Sequence, residues 1–418
     1  MKVKNLLLAG LAVATMTACS NEIDEIVDGG NQAVTGETAG MNLKFTFAQT
    51  RAVSSPGTDA GEEPEWNATK VTVVLDYGTA KPYIIQDLGV ITNEGKVRIA
   101  ETEKFKVQAG SQVKIYAFLN PGNLDFEKSV TDLISTASKF PTEGLNYLIE
   151  GAAKTNNFMM SNTGGTPIVK DIIAGKDDNI AEISVERVCA KIQETTEINK
   201  SFSITEPSVK DFEASIKMVK YTYANLAKAS YVLAQSSCWA AANNDAYFNQ
   251  YATVNPTYNW VTANNDATYC YENIISGTWN TSKHTSVLYE AQVYFNGSES
   301  PASTFYVKEN PKSNQREIFK SWEELTQAYS GLKDSENDED LKNFSIEKYT
   351  DGKCYYQAPI EDTTAGVSIV RNNWYKLTIN SVKDLGYPTP VPPTKEDTKL
   401  TVKVEIKPWT IQMNNIDL

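Results

Sequence analysis

Histidine is almost missing from this chain: His284 is the single one in 418 residues. A Ser-His-Asp or Cys-His arrangement has to use it, and a zinc site with more than one His ligand is excluded within one chain. The polar stretch Thr281-Ser282-Lys283-His284-Thr285 puts His284 at the surface. Cysteine is scarce as well. None of the five forms a CxxC pair or stands beside a histidine, so neither a metal site nor a cofactor is expected. Positive charge is in deficit, with 39 Lys and Arg against 52 Asp and Glu for a formal net charge of −13. That balance argues against nucleic acid, whose binding needs a basic face to displace counterions. Beyond the first twenty residues no stretch is long and apolar enough for a transmembrane helix. No catalytic constellation survives these absences, and the expectation is a protein that is not an enzyme.

What is present favours β structure. Apolar content of 41% with 10% aromatics supports packed cores and excludes global disorder. The 418 residues exceed what one core normally organises, so two domains are expected. Twenty-one Tyr and many Val, Ile and Thr fall in short alternating runs separated by turn residues.

The N-terminus reads as an export signal. Lys2 and Lys4 precede the apolar run Leu6–Val13, and small residues lead to Cys19, so residues 1–18 form a signal peptide. Met16-Thr17-Ala18-Cys19 resembles a bacterial lipobox, which makes Cys19 the lipidation site, carrying palmitate-type acyl chains. An acidic, Gly-rich tether follows over Ser20–Gly40. Next comes MNLKFTFAQTRA, residues 41–52. Met41, Leu43, Phe45 and Phe47 alternate with Asn42, Lys44 and Thr46, a period-2 strand with one face for burial. Arg51 and Ala52 open a Ser/Pro/Gly-rich segment that a trypsin-like protease could reach.

Residues 52–197 read as an N-terminal β-sandwich domain. Val71–Leu75, Val97–Val107 and Val113–Leu119 alternate, and Ser129–Phe140 has helical spacing. The Met159-Met160 pair reads as core filling. Ile183–Ile192 alternates with one phase change, which predicts a bulge or bend. Residues 198–418 read as a second β-sandwich domain. Ala240–Asp266, rich in Asn, Ala and Tyr, reads as a long surface insertion. Ser321–Leu332 predicts a helix with a Ser321/Glu324 capping box, and the acidic run Asp334–Asp340 reads as a solvated loop. Cys189 reads as a buried thiol, whereas Cys238 and Cys270 stand in one irregular region where pairing is open. At the end of the chain, four prolines in Tyr387–Pro393 form a spacer. Leu400, Val402, Val404 and Ile406 then alternate, and after Pro408 the phase flips to Trp409, Ile411 and Met413, with Ile416 and Leu418 closing.

Ile115–Asn120, Phe158–Asn162, Val185–Ile192 (VERVCAKI) and Val370–Ile379 (VRNNWYKLTI) resemble, in order and spacing, landmarks of the Bacteroidetes fimbrillins. These are the lipoprotein pilins of type V fimbriae, and the likeness is nearest to shaft subunits of a minor fimbrium. The acidic residues after Cys19 also resemble a surface-export signal of Bacteroidetes lipoproteins. The resemblance implies a mainly β chain of two β-sandwich domains with a transthyretin-like pilin fold and a few short helices. It further implies an outer-membrane lipoprotein precursor over residues 19–51, cut between Arg51 and Ala52 by an arginine-specific surface protease. The strand bearing Met41, Leu43, Phe45 and Phe47 is then removed and replaced by a donor strand carrying Trp409, Ile411, Met413, Ile416 and Leu418 of a neighbouring subunit. Removing residues 1–51 takes away four basic and five acidic residues and leaves −12. The implied partners are identical subunits, fimbrial tip and anchor subunits, and host or bacterial adhesion receptors, at a cell-surface fimbrium serving adhesion and biofilm formation. Alternatives are a tip or anchor subunit, and a glycan-binding surface lipoprotein whose Trp and Tyr residues stack on sugars.

Overall fold

The computed structural model describes residues 36–47, 59–60, 65, 67–92, 100–122, 124, 126, 132, 137–139, 153–154, 157–197, 199–205, 207–209, 213–238, 240, 247–248, 250, 258–262, 267–275, 279–295, 297–310, 315–332, 337–360, 369–390 and 399–410. Strand dominates them, as the alternating sequence requires. The N-terminal half forms one nine-stranded sheet from β1 (Thr38–Phe47), β2 (Lys70–Asp76), β3 (Tyr83–Thr92), β4 (Ala100–Thr102), β5 (Phe105–Gln108), β6 (Gly110–Leu119), β7 (Met160–Asn162), β8 (Ile168–Ile172) and β9 (Asn179–Arg187). Its order is β7-β9-β1-β4-β3-β2-β6-β8, with β5 also on β1. Met160 and Ser161 pair with Leu119 and Phe118, so β7 joins β9 to β6 and closes the sheet on itself. Closure buries one face of every strand, which is why Val71, Val73, Ile115, Ala117, Ile183 and Val185 are inaccessible to solvent.

The phase change anticipated in Ile183–Ile192 has a tertiary cause. Val188 separates β9 from β10 (Cys189–Glu194), and the two strands belong to different sheets. The chain continues through β11 (Ser201–Ser203), β12 (Ala214–Ala224), β13 (Ala267–Tyr271) and β14 (Ser286–Phe295). A small subassembly follows: β15 (Phe305–Asn310), β16 (Gln315–Phe319), helix α1 (Trp322–Ala328), helix α2 (Asp338–Asn343) and β17 (Ile346–Tyr349). The chain returns through β18 (Lys353–Pro359), β19 (Asn373–Val382) and β20 (Leu400–Thr410). One sheet runs β20-β19-β10-β13, the other β11-β12-β14-β18. Their facing side chains join those of the first sheet in one continuous apolar core.

The Ser321 side chain accepts from the Glu324 N–H at 3.2 Å, as expected of the cap. The Glu324 carboxylate instead accepts from the Lys320 N–H at 2.6 Å, one residue ahead of a standard capping box. Leu325, Leu332, Leu341, Ile346 and Tyr306 form a separate small core, with Trp322 and Tyr329 against it. Several expectations change. The acidic run is not a plain loop, because the Asn337 side chain caps α2 at the Asp340 N–H and acidic residues suit that end of a helix. Ala137–Lys139, inside the expected helix, is a strand paired with Ala229–Tyr231. Within the expected surface insertion, Ala240, Tyr247 and Tyr258 are buried. Met159 and Met160 fill the core as anticipated.

Candidate functional site

The first described strand sits in the interior of the sheet, not at an edge. β1 runs parallel to β9, with Met41 opposite Asn179 and Phe47 opposite Val185. Its other edge pairs antiparallel with β5 (Thr38 to Met41 against Gln108 to Phe105) and with Ala100 and Glu101 of β4. The Leu43 N–H also donates to Thr102 Oγ1 at 3.0 Å. Ala39, Met41, Leu43 and Phe45 are fully buried, whereas Phe47 is half-buried at the strand end. Burying the three large side chains contributes about 6 kcal/mol at ~2 kcal/mol each, an upper figure against an extended unfolded chain. A parallel neighbour cannot be joined by a tight turn. β1 therefore fills a slot between strands that do not otherwise meet, and withdrawing it would leave two unpaired edges and an apolar floor.

The C-terminal hairpin forms the second part of the site. β19 and β20 pair antiparallel from Val382–Leu400 to Asn373–Pro408, with an irregularity between Ile379 and Ser381. β20 continues past Pro408, and Trp409 and Thr410 pair parallel with Asp59 and Ala60. The chain just beyond the expected cut is thus bound to the start of the expected donor. Val402 and Val404 are only partly buried. Tyr387, at the head of the proline spacer, exchanges two backbone hydrogen bonds of 2.8 Å with Tyr355. Cys19, Arg51, Ala52, Ile411, Met413, Ile416 and Leu418 lie outside the described residues, as do residues 1–18 and the Trp409 side chain.

A buried charged cluster lies where the two halves meet, and sequence reading missed its role. The Arg371 guanidinium pairs with the Glu272 carboxylate through Nε at 2.8 Å and through Nη2. Its Nη2 also donates to Ser230 Oγ at 3.0 Å and to the Tyr231 carbonyl at 2.7 Å. Burial works against the Arg371 charge, and Glu272 offsets it so far that the guanidinium pKa rises. Asn372, at φ 60°, donates its N–H to the Cys189 carbonyl at 2.7 Å and accepts from Arg187 Nη1 at 3.0 Å. The left-handed turn suits asparagine. Lys191 Nζ meets Glu65 Oε1 at 2.6 Å and lies 3.9 Å above the Trp374 ring, while Tyr269 Oη donates to the same Glu65 oxygen. Arg187 Nε donates to the Glu65 carbonyl at 2.6 Å, and burial lowers the Arg187 pKa to about 10 against the pull of Glu65. The signal was legible in principle: Glu186, Arg187 and Lys191 are charged residues inside a largely apolar alternating run.

Glu194 ends β10 buried, accepting from the Thr196 N–H at 2.8 Å and from Tyr289 Oη at 2.5 Å. Burial raises its pKa above 4.5 despite those hydrogen bonds. A carboxyl raised in the fold binds a proton more tightly there than in the unfolded chain. Its contribution is fully present below pH 4.5 and is lost as pH rises through the folded value. Glu194→Gln is therefore expected to raise Tm at pH 7. The gain should vanish at pH 4, and thermal scans at the two pH values read the difference.

His284 is buried rather than exposed. Its ring stacks on Trp279 with centroids 4.4 Å apart, and Nδ1 accepts from the Asn280 N–H at 2.9 Å, so the imidazole closes its own turn. Cys189, Cys238, Cys270 and Cys354 are all buried thiols, and the open Cys238–Cys270 pairing does not form. Burial pushes the Cys189 and Cys354 thiols up to about 12, which leaves them unreactive. Among the described residues no group of three or more His, Cys, Asp or Glu could hold a metal.

Residues 347–415 match the family model for the C-terminal region of fimbrillin, the type IV major fimbrial subunit protein. The structure is similar to a fimbrilin from Porphyromonas gingivalis, with TM-score 0.51 and 16% identity over 92% of this chain and 100% of that one. It is equally similar to a candidate cell adhesion protein from Parabacteroides distasonis, with TM-score 0.51 and 14% identity over 90% and 98% of the two chains. Likeness at these identities is likeness of fold. No curated protein sequence matches the chain.

Proposed function

We infer that this chain, a fimbrillin by its C-terminal region and its fold, is a structural subunit of a cell-surface fimbrium that polymerises by protease-triggered strand exchange. The interior position of β1 carries this reading, because the strand fills a slot with partners on both edges and is tied to neither by a short turn. The precursor is held in the outer membrane by lipid on Cys19, with β1 keeping the slot closed. An arginine-specific protease cuts between Arg51 and Ala52, β1 leaves, and the segment Trp409–Leu418 of a second copy enters. Main-chain hydrogen bonds rebuild the ladder, and alternate side chains refill the positions of Met41, Leu43, Phe45 and Phe47. The empty slot exposes apolar surface, so it does not persist.

A shaft position fits best. An anchor needs no cut and a tip needs no donor, whereas this chain has both features. Its partners are identical subunits along the filament, tip and anchor subunits at the ends, and adhesion receptors beyond. The contrasting reading, a glycan-binding surface lipoprotein, predicts a retained lipidated Cys19. N-terminal sequencing of the surface form separates the two: a start at Ala52 is expected, and an intact lipidated start overturns the pilin reading. Truncation after Lys407 is expected to give a subunit that is cut normally but remains monomeric by size exclusion. Fibres of normal length from that variant would rule out Trp409–Leu418 as the donor.

A further inference from the structure

The entry end of β1 is held by a device that the rest of the strand lacks. The turn Ile173–Asp178, between β8 and β9, folds over Gly40. The Gly40 N–H donates to the Lys176 carbonyl at 2.9 Å, and the Gly175 N–H donates to the Thr38 carbonyl at 3.0 Å. Asn179 is buried behind the turn. Its Nδ2 lies 3.0 Å from the Gly40 carbonyl, 3.1 Å from that of Lys176 and 3.2 Å from that of Ile173, while its Oδ1 accepts from the Ile173 N–H at 2.9 Å. One side chain therefore sets the shape of the turn and its distance from β1. A Cβ at position 40 would lie 2.7 Å from the Asp177 carbonyl oxygen and 2.9 Å from the Asp177 Cα. Both are backbone atoms, so no change of rotamer relieves the clash. Glycine is required here for space.

We propose that Gly40, the turn Ile173–Asp178 and Asn179 form a glycine-reading register stop, which admits the chain's own first strand in full but limits a strand from a second copy to the stretch occupied by Met41–Phe47. The proposal rests on the strand-exchange reading and adds a specificity element to it. The donor segment Trp409–Leu418 contains no glycine, and none occurs anywhere after Gly386. No placement of that tail puts a residue without a side chain opposite Asp177. A donated strand seats beyond the stop, where it can replace the pairing of Met41–Phe47 with β9. It leaves unmatched the bonds of Thr38–Gly40 to the turn and to Lys106–Gln108. The resident strand is the better ligand at this end, which is a physical reason for its release to require a cut. The same asymmetry makes residues 105–108 and 173–179 the part of the subunit that changes most on assembly.

Hydrogen exchange read by mass spectrometry tests this in two steps. In the uncut full chain, Gly40→Ala is expected to speed exchange at 105–108 and 173–179 about tenfold or more while 180–185 stays protected. Thr46→Ala, at an exposed position of the same strand, should leave all three segments unchanged. Unchanged exchange at 173–179 in Gly40→Ala overturns the stop. In the polymer formed from the unmodified full chain after cutting, 180–185 should be as protected as in the precursor, with 105–108 and 173–179 exchanging at least about tenfold faster. Equal protection of all three segments in the polymer overturns the register stop and leaves the exchange reading standing. Loss of protection across 180–185 as well, or no polymer at all, overturns both.

Discussion

Cells making the Arg51→Ala chain are expected to display a folded subunit that runs as a single monomer band under mild denaturation, where the parent chain gives a ladder. The effect is all or none because β1 is an interior strand, held by two ladders and by the burial of Met41, Leu43 and Phe45. An incoming strand must displace it. While the chain is uncut, β1 remains tethered beside its slot and competes at an effective concentration on the order of millimolar. Cutting lets it diffuse away, and dilution then favours the donor. Thermal stability of the variant should equal that of the uncut parent, which distinguishes blocked assembly from misfolding. A normal ladder from Arg51→Ala would overturn both the cleavage site and the trigger.

The largest stability effect is expected at the charged cluster. Glu272→Ala strands the Arg371 guanidinium in a fully enclosed site, and breaking a buried pair in this way costs about 3–5 kcal/mol. Part of the Arg371 charge remains satisfied by the Ser230 hydroxyl and the Tyr231 carbonyl, so the cost should not exceed that range. Replacing both partners, Glu272→Leu with Arg371→Met, is expected to cost far less than the single change, because no bare charge is left behind. Chemical denaturation of the three chains measures the contrast. A Glu272→Ala loss below about 1 kcal/mol would show that the pair behaves as a solvent-exposed one. Because Arg371 and Asn372 anchor the start of β19, Glu272→Ala should also loosen the hairpin that carries the proposed donor.

How far these features could be read in advance differs from element to element. The alternation of Met41, Leu43 and Phe45 is a local pattern, since successive side chains of any strand point to opposite faces. Its partner β9 lies far along the chain, and nothing local specifies a parallel neighbour or an interior slot. The phase change in VERVCAKI was visible as a bend, but its meaning as a passage from one sheet to another depends on β7 and β19 arriving on either side. Ser321 was legible as a cap because the bond spans three residues. His284 was misjudged because its sequence neighbours are polar, while its burial comes from the Trp279 ring stacked on it. Gly40 gave no signal at all, as the backbone that excludes a side chain there belongs to Asp177.

By itself, then, the sequence determined the β class, the alternating faces and the helix cap. Each of these depends on composition or on contacts within a few residues. Only the tertiary structure decided that the first strand lies inside a closed sheet, that Arg371 and Lys191 are ionic ties rather than surface charges, and that one glycine sits under a backbone turn. Those are properties of pairs distant in the chain, whose meeting depends on the whole set of strands closing together.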